Sequence, residues 1–575
     1  MSYLLGIFCK SGTLAECNFE PVLKAFSLEG TRPLLSAVTD KYAVFTHRCC
    51  FLSGNKSQSL AIAGNAGIEG VRWHNGAAIG NEQLQIFSEK LNQDTGLFLR
   101  NIQGAFTLAW YNGAQHVLRL ANDSLGLYPI YLAETDQCVF FCTETEPLTK
   151  IAGMDLTIDL SAVSEYFELG SVLASKTFFR NIHNLEPGTL VSFSGNGKET
   201  IKYDSGEIKV EHSRTVESFA EEAAFLLKQS VNRMITADSP CNVMLTGGVD
   251  TRLILGCIAP ELRKTIPFVT YLTPPLTASE DQEVIVAKAI TKDLGLIHTL
   301  ENFPFLGRDF GPWFYEQQRA PEGPPLVAGL FGSEILKGEF VFSMPRVVLQ
   351  RLQRQWKMEI PARLMQPDSP RSVWKSLKGK TPGFLNSEGM NNIADPNKTL
   401  VSYLDSLRVE NNELLFAIQS FLRSFFTNNW GQSTYSIPFI RPSVVMTHTI
   451  LPFTDAAFIR FLLRVPPRLL GIQSGQLYNT LYKNHFPELC KYPTNSALGR
   501  VEGNCIPPMR EGLSPHEYRK VNYRSTFNSM MSGTHGRDRS LYNKPALLKL
   551  AKDPETAWLK KFVEFESWME YITKV

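Results

Sequence analysis

The sequence predicts two architectures in one chain. An α+β domain of two packed antiparallel sheets is expected over residues 1–205, and an α/β domain with a doubly wound parallel sheet and a helical C-terminal part over residues 215–575. Three changes of texture carry that expectation. Up to about residue 205 the chain is a series of short apolar or alternating runs (YAVFTH, SLAIAG, AFTLAWY, VLRLAND, YPIYLAE, CVFFCTE, TLVSFSG) separated by Gly, Asn and Asp. Runs of that length between turn residues read as strands of packed sheets. The stretch TVESFAEEAAFLLKQSVNRMI then sets Phe219, Ala223, Leu226, Leu227 and Val231 at helical spacing, after which strand-like and helix-like runs alternate. From about residue 345 helical patterns with proline-rich joints dominate.

Taken in order, GNGKE at 195–199 and SGE near 205 are expected turns at the end of the first domain. NVML at 242–245 fits a buried strand, and VDTRLILGCI after it places Val249, Leu253 and Ile254 on one helix face. PFVTYL at 267–272 is a second strand and SEDQEVIVAKAITKDLG a second helix. This alternation argues a parallel sheet whose ligand lies at the carboxyl ends of its strands.

Composition narrows the function classes. The 575 residues carry 58 basic and 56 acidic side chains, so bulk charge gives no reason to expect a nucleic acid or a membrane surface as partner. The opening MSYLLGIFCKSG lacks a charged segment followed by a long apolar one, and no later stretch reaches about 18 uncharged apolar residues; a cytoplasmic location is the default expectation. Ten cysteines show no C-x-x-C pair and no matched Cys/His spacing, which reads as buried free thiols rather than a zinc or disulfide framework.

Chemistry concentrates at CNVMLTGGVDTRLILG, residues 241–256. A strand, a two-glycine bend and a helix follow one another. Gly247 and Gly248 let backbone amides approach an anion closely, and the helix N-terminus adds partial positive charge. The spacing fits neither the Walker phosphate loop nor the dinucleotide fingerprint. Thr246-Gly247-Gly248-Val249-Asp250-Thr251 resembles instead the S-G-G-x-D-S loop of the pyrophosphate-loop ATPases.

Further stretches extend the likeness. FLRNIQGAFTLAWYNGAQHVLRLANDSLGLYPIYL and FRNIHNLEPGTLVSF resemble the amidotransferase domain of the asparagine synthetases and its lead-out. GLFGSEILKGEF at 329–340 is similar to that family's second acidic loop, and LPFTDAAFIRFLLRVPP at 451–467 to its P-F-L-D stretch. Order and spacing match over roughly residues 45–500, so the chain resembles the asparagine synthetase superfamily. That likeness implies an Ntn-hydrolase-like first domain and a pyrophosphate-loop ATPase second domain.

The resemblance also implies residue roles. Leu245, Thr246, Gly247, Gly248, Val249, Asp250, Thr251, Arg252 and Gly332 would surround ATP and its pyrophosphate, with Asp250 and Glu334 holding Mg2+. Asp250 is equally placed to cap the helix beside it, and Glu334 to be a solvated surface acid. Ile335 stands where the family has a second acid. Lys491, or Arg500 in its place, would be the cation near the acyl intermediate, and an exposed lysine without a role is the other reading. His448 and Ile450 stand where the family often has Glu and Arg.

The family's glutaminase nucleophile is a cysteine exposed when Met1 is removed, but position 2 is Ser2, and aligning Gly6-Ile7 with the family's G-I puts Leu5 at the nucleophile. Gly64-Asn65 is all that matches the glutamine-binding G-E-I-Y-N. The first domain is therefore expected to be silent, as in β-lactam synthetases and lasso-peptide cyclases. The implied function is an ATP- and Mg2+-dependent ligase that adenylates a small-molecule or peptide carboxylate and passes the acyl group to ammonia or another amine donor. A glutamine-hydrolysing asparagine synthetase and a nucleotide-binding pseudoenzyme are the alternatives, and a homodimer is an admissible assembly.

Overall fold

The computed structural model describes residues 4–26, 35–46, 51–54, 58–68, 71–72, 89–169, 172–195, 197–204, 206–235, 241–272, 277–279, 281–302, 324, 326–336, 338, 344–357, 394–427, 449–470 and 475–493, and scattered positions from 527 to 569. In the first part the strands are β1 (Leu4–Cys9), β2 (Leu35–Val38), β3 (Tyr42–Thr46), β4 (Phe51–Gly54), β5 (Gln58–Ile68), β6 (Val71–Arg72), β7 (Gln103–Asn112), β8 (Val117–Asn122), β9 (Tyr131–Glu134), β10 (Cys138–Cys142), β11 (Ile182–Asn184), β12 (Thr189–Ser194) and β13 (Gly197–Lys202). They make two antiparallel sheets, ordered β11-β9-β10-β1-β3-β2 and β13-β12-β8-β7-β5-β4, with β6 beside β5. These are the two sheets the sequence predicts.

The pleat explains why the runs are apolar almost throughout. Along β7, Ala105, Ala109 and Tyr111 join the core shared with the first sheet, where Tyr111 stacks on Tyr42 at 4.5 Å and meets Phe8 edge-on at 6.1 Å. Phe106, Leu108 and Trp110 point to the other face and pack with Phe98 and Leu99 of the helix Thr95–Asn101. A strand covered on both sides loses the polar half of its period-2 pattern. The expected turn at 195–199 is shorter than the sequence suggests: Gly197–Lys202 is the edge strand β13, paired with β12. All its residues are exposed and three are charged, as suits a sheet edge, and so no apolar alternation marks it as a strand.

The third sheet holds β14 (Asn242–Met244), β15 (Phe268–Leu272), β16 (His298–Asn302), β17 (Leu326–Val327) and β18 (Thr449–Ile450). It is parallel, in the order β16-β15-β14-β17-β18. The helix Val216–Met234 leads into it, its first turn capped by Thr215 Oγ1 accepting from the Ser218 amide at 3.2 Å. Phe219, Ala223, Leu227 and Val231 form its buried stripe, but Leu226 lies at the edge of it and Ala220, Ala224 and Ser230 are buried instead. Ser230 is buried because its hydroxyl donates to the Pro452 carbonyl at 2.8 Å. Asp455 in the PFTD turn accepts from the amides of Ala457 and Phe458, capping the helix Ala456–Arg464, and also pairs with Arg233. Among the described residues no helix is long and apolar enough to cross a membrane.

Candidate functional site

Strand order locates a crevice before any side chain is considered. From the central strand β14 the chain moves outward to β15 and then β16, whereas β17 and β18 lie on β14's other side. The connections after β14 and β17 therefore part at β14, the kind of switch point where open α/β sheets bind ligands. The segment after β14 is the Thr246-Gly247-Gly248 bend and the helix Val249–Cys257. After β17 come Gly329 and the short helix Gly332–Leu336, which carries Glu334 in its first turn.

The two segments touch. A Cβ at position 332 would lie 2.7 Å from both Cγ and Oδ1 of Asp250, and one at 329 would lie 2.8 Å from the Thr251 amide nitrogen. Side chains are excluded at both positions by this approach. Between them Phe331 is fully buried with φ of 73°, a left-handed conformation that costs a non-glycine residue about 1–2 kcal/mol. The turn is held there by its surroundings.

The bend is closed on itself by hydrogen bonds. The Thr246 amide donates to Thr251 Oγ1 at 3.0 Å, the Gly248 amide to Thr246 Oγ1 at 2.9 Å, and the Gly247 amide to Glu283 Oε2 at 2.7 Å. Glu283 sits in the first turn of the helix Gln282–Leu294. A carboxylate oxygen on the Gly247 amide demonstrates that the bend accepts an anionic oxygen. The residue N-terminal to the loop helix is Gly248, with no side-chain cap, so the helix's first amides are left without an intrahelical partner. Asp250 is in the first turn rather than at the cap, which corrects the capping alternative. Its Oδ1 accepts from Tyr478 Oη at 2.7 Å.

Behind the bend, Leu245 and Val249 belong to the core. The Leu245 carbonyl accepts from Thr270 Oγ1 at 2.7 Å, and that hydroxyl also meets His298 Nε2 at 2.8 Å. Arg252 is completely buried. Its guanidinium donates to the carbonyls of Gly247 at 2.8 Å and Tyr492 at 2.9 Å, to the Pro493 carbonyl, and to Tyr482 Oη at 3.2 Å. It ties the bend to residues 492–493.

Lys491 directly precedes the residues that Arg252 ties to the bend, but its own side chain has another partner. Its exposed ammonium pairs with Asp293 Oδ2 at 3.2 Å, ten residues along the same helix from Glu283, or about 15 Å at the helical rise. Arg500, Ser2 and His448 fall outside the described residues, and Ile450 is buried in β18. Glu283, Tyr478 and Thr270 were not singled out in the sequence. Only Glu283 carried any signal, as an acid opening a helix after a strand.

In the first part, Leu5 lies fully buried in β1, opposite Phe45 of β3 and Cys142 of β10. A Cβ on its neighbour Gly6 would sit 2.0 Å from the Phe141 ring, so aromatic carbon covers this stretch of β1. Asp123, the acid of the LANDSLG run, has Oδ1 accepting from the amides of Leu125 and Leu127 and Oδ2 from that of Tyr128, at 3.0–3.1 Å. Burial pushes its carboxyl up to about 6, against the pull of those amides. Its role is to fold the 123–128 turn.

Comparison with known proteins finds two family matches along the chain. Residues 90–204 match the family described as "Glutamine amidotransferase domain" and residues 222–304 the family "Asparagine synthase". The second span contains the bend and Glu283. The chain is 26% identical over 196 residues to "Asparagine synthetase [glutamine-hydrolyzing] 1" of Bacillus subtilis, covering 34% of this chain and 30% of that protein. It is 23% identical over 223 residues to "Asparagine synthetase [glutamine-hydrolyzing] 3" of the same organism, covering 38% and 33%. With "Amidase chyE" of Penicillium rubens it shares 24% over 171 residues, covering 29% and 25%. The matches thus span about a third or less of these relatives' lengths. Two family models match in the order the sequence suggested, and the relatives include asparagine synthetases, so over these spans the chain is similar to the asparagine synthetase superfamily.

Proposed function

We propose that the protein is an ATP-dependent ligase that activates a carboxylate as its acyl-adenylate and transfers the acyl group to ammonia or another amine. The observation that carries the reading is the contact of the two segments at the switch point, with Asp250 against Gly332 and Glu334 on the same short helix.

In the first step a carboxylate oxygen of the substrate bonds to the α-phosphorus of ATP and the bond to the bridging oxygen breaks, so pyrophosphate leaves. In the second the amine nitrogen bonds to the acyl carbon and loses a proton, and AMP leaves with the former carboxylate oxygen. The first-turn amides of the helix Val249–Cys257, joined by the Gly247 amide once Glu283 gives it up, would receive the departing diphosphate. Asp250 and Glu334 offer hard carboxylate oxygens, the donor type that suits Mg2+. Tyr478 holds one oxygen of Asp250, and the other would be the one available to hold Mg2+. When bound, Mg2+ offsets the repulsion between two anionic reactants and stabilises the leaving pyrophosphate. Arg252 and Glu283 position the bend from behind and beside it.

The buried Leu5 supports a first domain without glutaminase activity, so the amine arrives free or as part of the substrate. Domain limits of 1–205 and 215–575, a small-molecule or peptide carboxylate and a cytoplasmic setting complete the reading. The test is carboxylate-dependent exchange of labelled pyrophosphate into ATP across a panel of carboxylic acids with Mg2+. Exchange that depends on one acid supports adenylation. ATP binding with no exchange across the panel would favour a nucleotide-binding protein without turnover, a reading for which the internal carboxylate on the Gly247 amide is the specific support.

A further inference from the structure

In the first sheet, three cysteines that look unrelated in the sequence converge. Cys9 ends β1 and faces Cys138, the first residue of β10, across the antiparallel pair. The next pair along is joined by the Lys10 amide donating to the Gln137 carbonyl at 2.7 Å, so Cys9 and Cys138 form a non-hydrogen-bonded pair, the closer kind. Cys17 follows a one-turn helix, Leu14–Glu16. It is delivered to the same place by Phe19, whose ring stacks on Phe45 and Phe140 at 5.6 and 6.3 Å. The sulfur atoms are 3.8 Å apart for Cys9 and Cys17, 3.8 Å for Cys9 and Cys138, and 2.8 Å for Cys17 and Cys138.

We propose that Cys9, Cys17 and Cys138 form a binding site for one thiophilic divalent cation of the Zn2+ type. A Zn–S bond of about 2.3 Å at the tetrahedral angle sets neighbouring sulfurs about 3.8 Å apart. Two of the three separations already have that value. The third reaches it by a modest rotation of Cys17, the one member that is not buried. A disulfide between Cys17 and Cys138 would use two sulfurs and leave the equal distances of Cys9 to both unexplained, whereas a shared cation uses all three. Cys9 and Cys138 sit in an apolar wall. Cys17, only partly buried, leaves an entry path. Binding displaces one proton from each thiol and leaves three thiolates on the cation. The site would staple the 10–19 segment to the end of the first sheet.

The test uses the full chain, reduced and freed of metal, titrated with Cd2+ while the thiolate-to-metal charge-transfer absorbance is followed. One equivalent is expected to saturate the band, with affinity falling about tenfold or more in Cys17→Ser and unchanged in Cys490→Ser. In the unmodified protein, one equivalent of Cd2+ should protect Cys9, Cys17 and Cys138 from alkylation, mapped by mass spectrometry; this readout stands even if a variant fails to fold. Uptake indifferent to Cys17→Ser, protection of other cysteines, or a Cys17–Cys138 disulfide whose reduction is followed by no one-equivalent uptake would each overturn the site.

Discussion

At the level of single residues, the crevice depends on two positions that contribute no side chain. Gly332 lies against the Asp250 carboxylate with no space for a methyl group, so Gly332→Ala must push Asp250 or the short helix away. The expected outcome is loss of pyrophosphate exchange with a stability loss of about 1–3 kcal/mol, read by exchange assay and urea denaturation. Arg252 is a different case. Replacing it with Met removes charge-assisted bonds to buried carbonyls, each worth about 1.5–3 kcal/mol, and should lower the urea midpoint markedly while loosening the bend. Asp250→Asn keeps the volume and the Tyr478 contact but removes the charge. It should raise the Mg2+ concentration needed for half-maximal exchange by about 10- to 100-fold. The motif letters Gly247, Gly248 and Asp250 were legible in the sequence because their chemistry is local. Tyr478 and Thr270 were not, since each acts on the loop across more than twenty intervening residues.

Elements show the same divide. The helix Val216–Met234 could be read because one-sided burial imposes a period on it, and strands β7, β8, β10 and β12 because they are short, largely apolar runs bounded by turn residues. β17 and β18 have two residues each, too few to display any period, yet they complete the crevice side of the parallel sheet. The 123–128 turn offers an elemental test. In Asp123→Asn an NH2 group replaces one acceptor oxygen, leaving one of the amides it serves unpaired at a cost of about 1–3 kcal/mol. The pH dependence has a definite sign. With its folded carboxyl pushed up to about 6 from the ordinary 3.8, the native state holds the proton more tightly than the unfolded chain. Asp123's contribution is therefore full below about pH 4 and is lost as pH rises through about 6. Wild-type stability measured against Asp123→Asn by urea denaturation should decline over that window.

Across the whole molecule, the last helices fasten the two-sheet part to the parallel sheet. Arg460 pairs with Asp204, and its Nε donates to Ser124 Oγ at 3.3 Å. Arg464 and Arg214 share Glu211 and Glu222, and Gln419 donates to the Leu125 carbonyl at 2.8 Å. The Arg464 network is about a third exposed, so each pair contributes about 1 kcal/mol at most. Raising salt should lower the melting temperature of the wild type more than that of an Arg460→Ala, Arg464→Ala double variant, because only the wild type has these pairs to screen. None of these long-range pairs could be read from the sequence, which orders charges along the chain but not in space. The same holds for the three cysteines, whose spacing of 9, 17 and 138 hides a common location.

The central claim is that nucleotide lies where the loops after β14 and β17 part. The most direct measurement is hydrogen exchange of backbone amides with and without MgATP. Slowed exchange confined to residues 246–252 and 329–336 is the expected result. Protection that leaves both segments unchanged and appears elsewhere would contradict it.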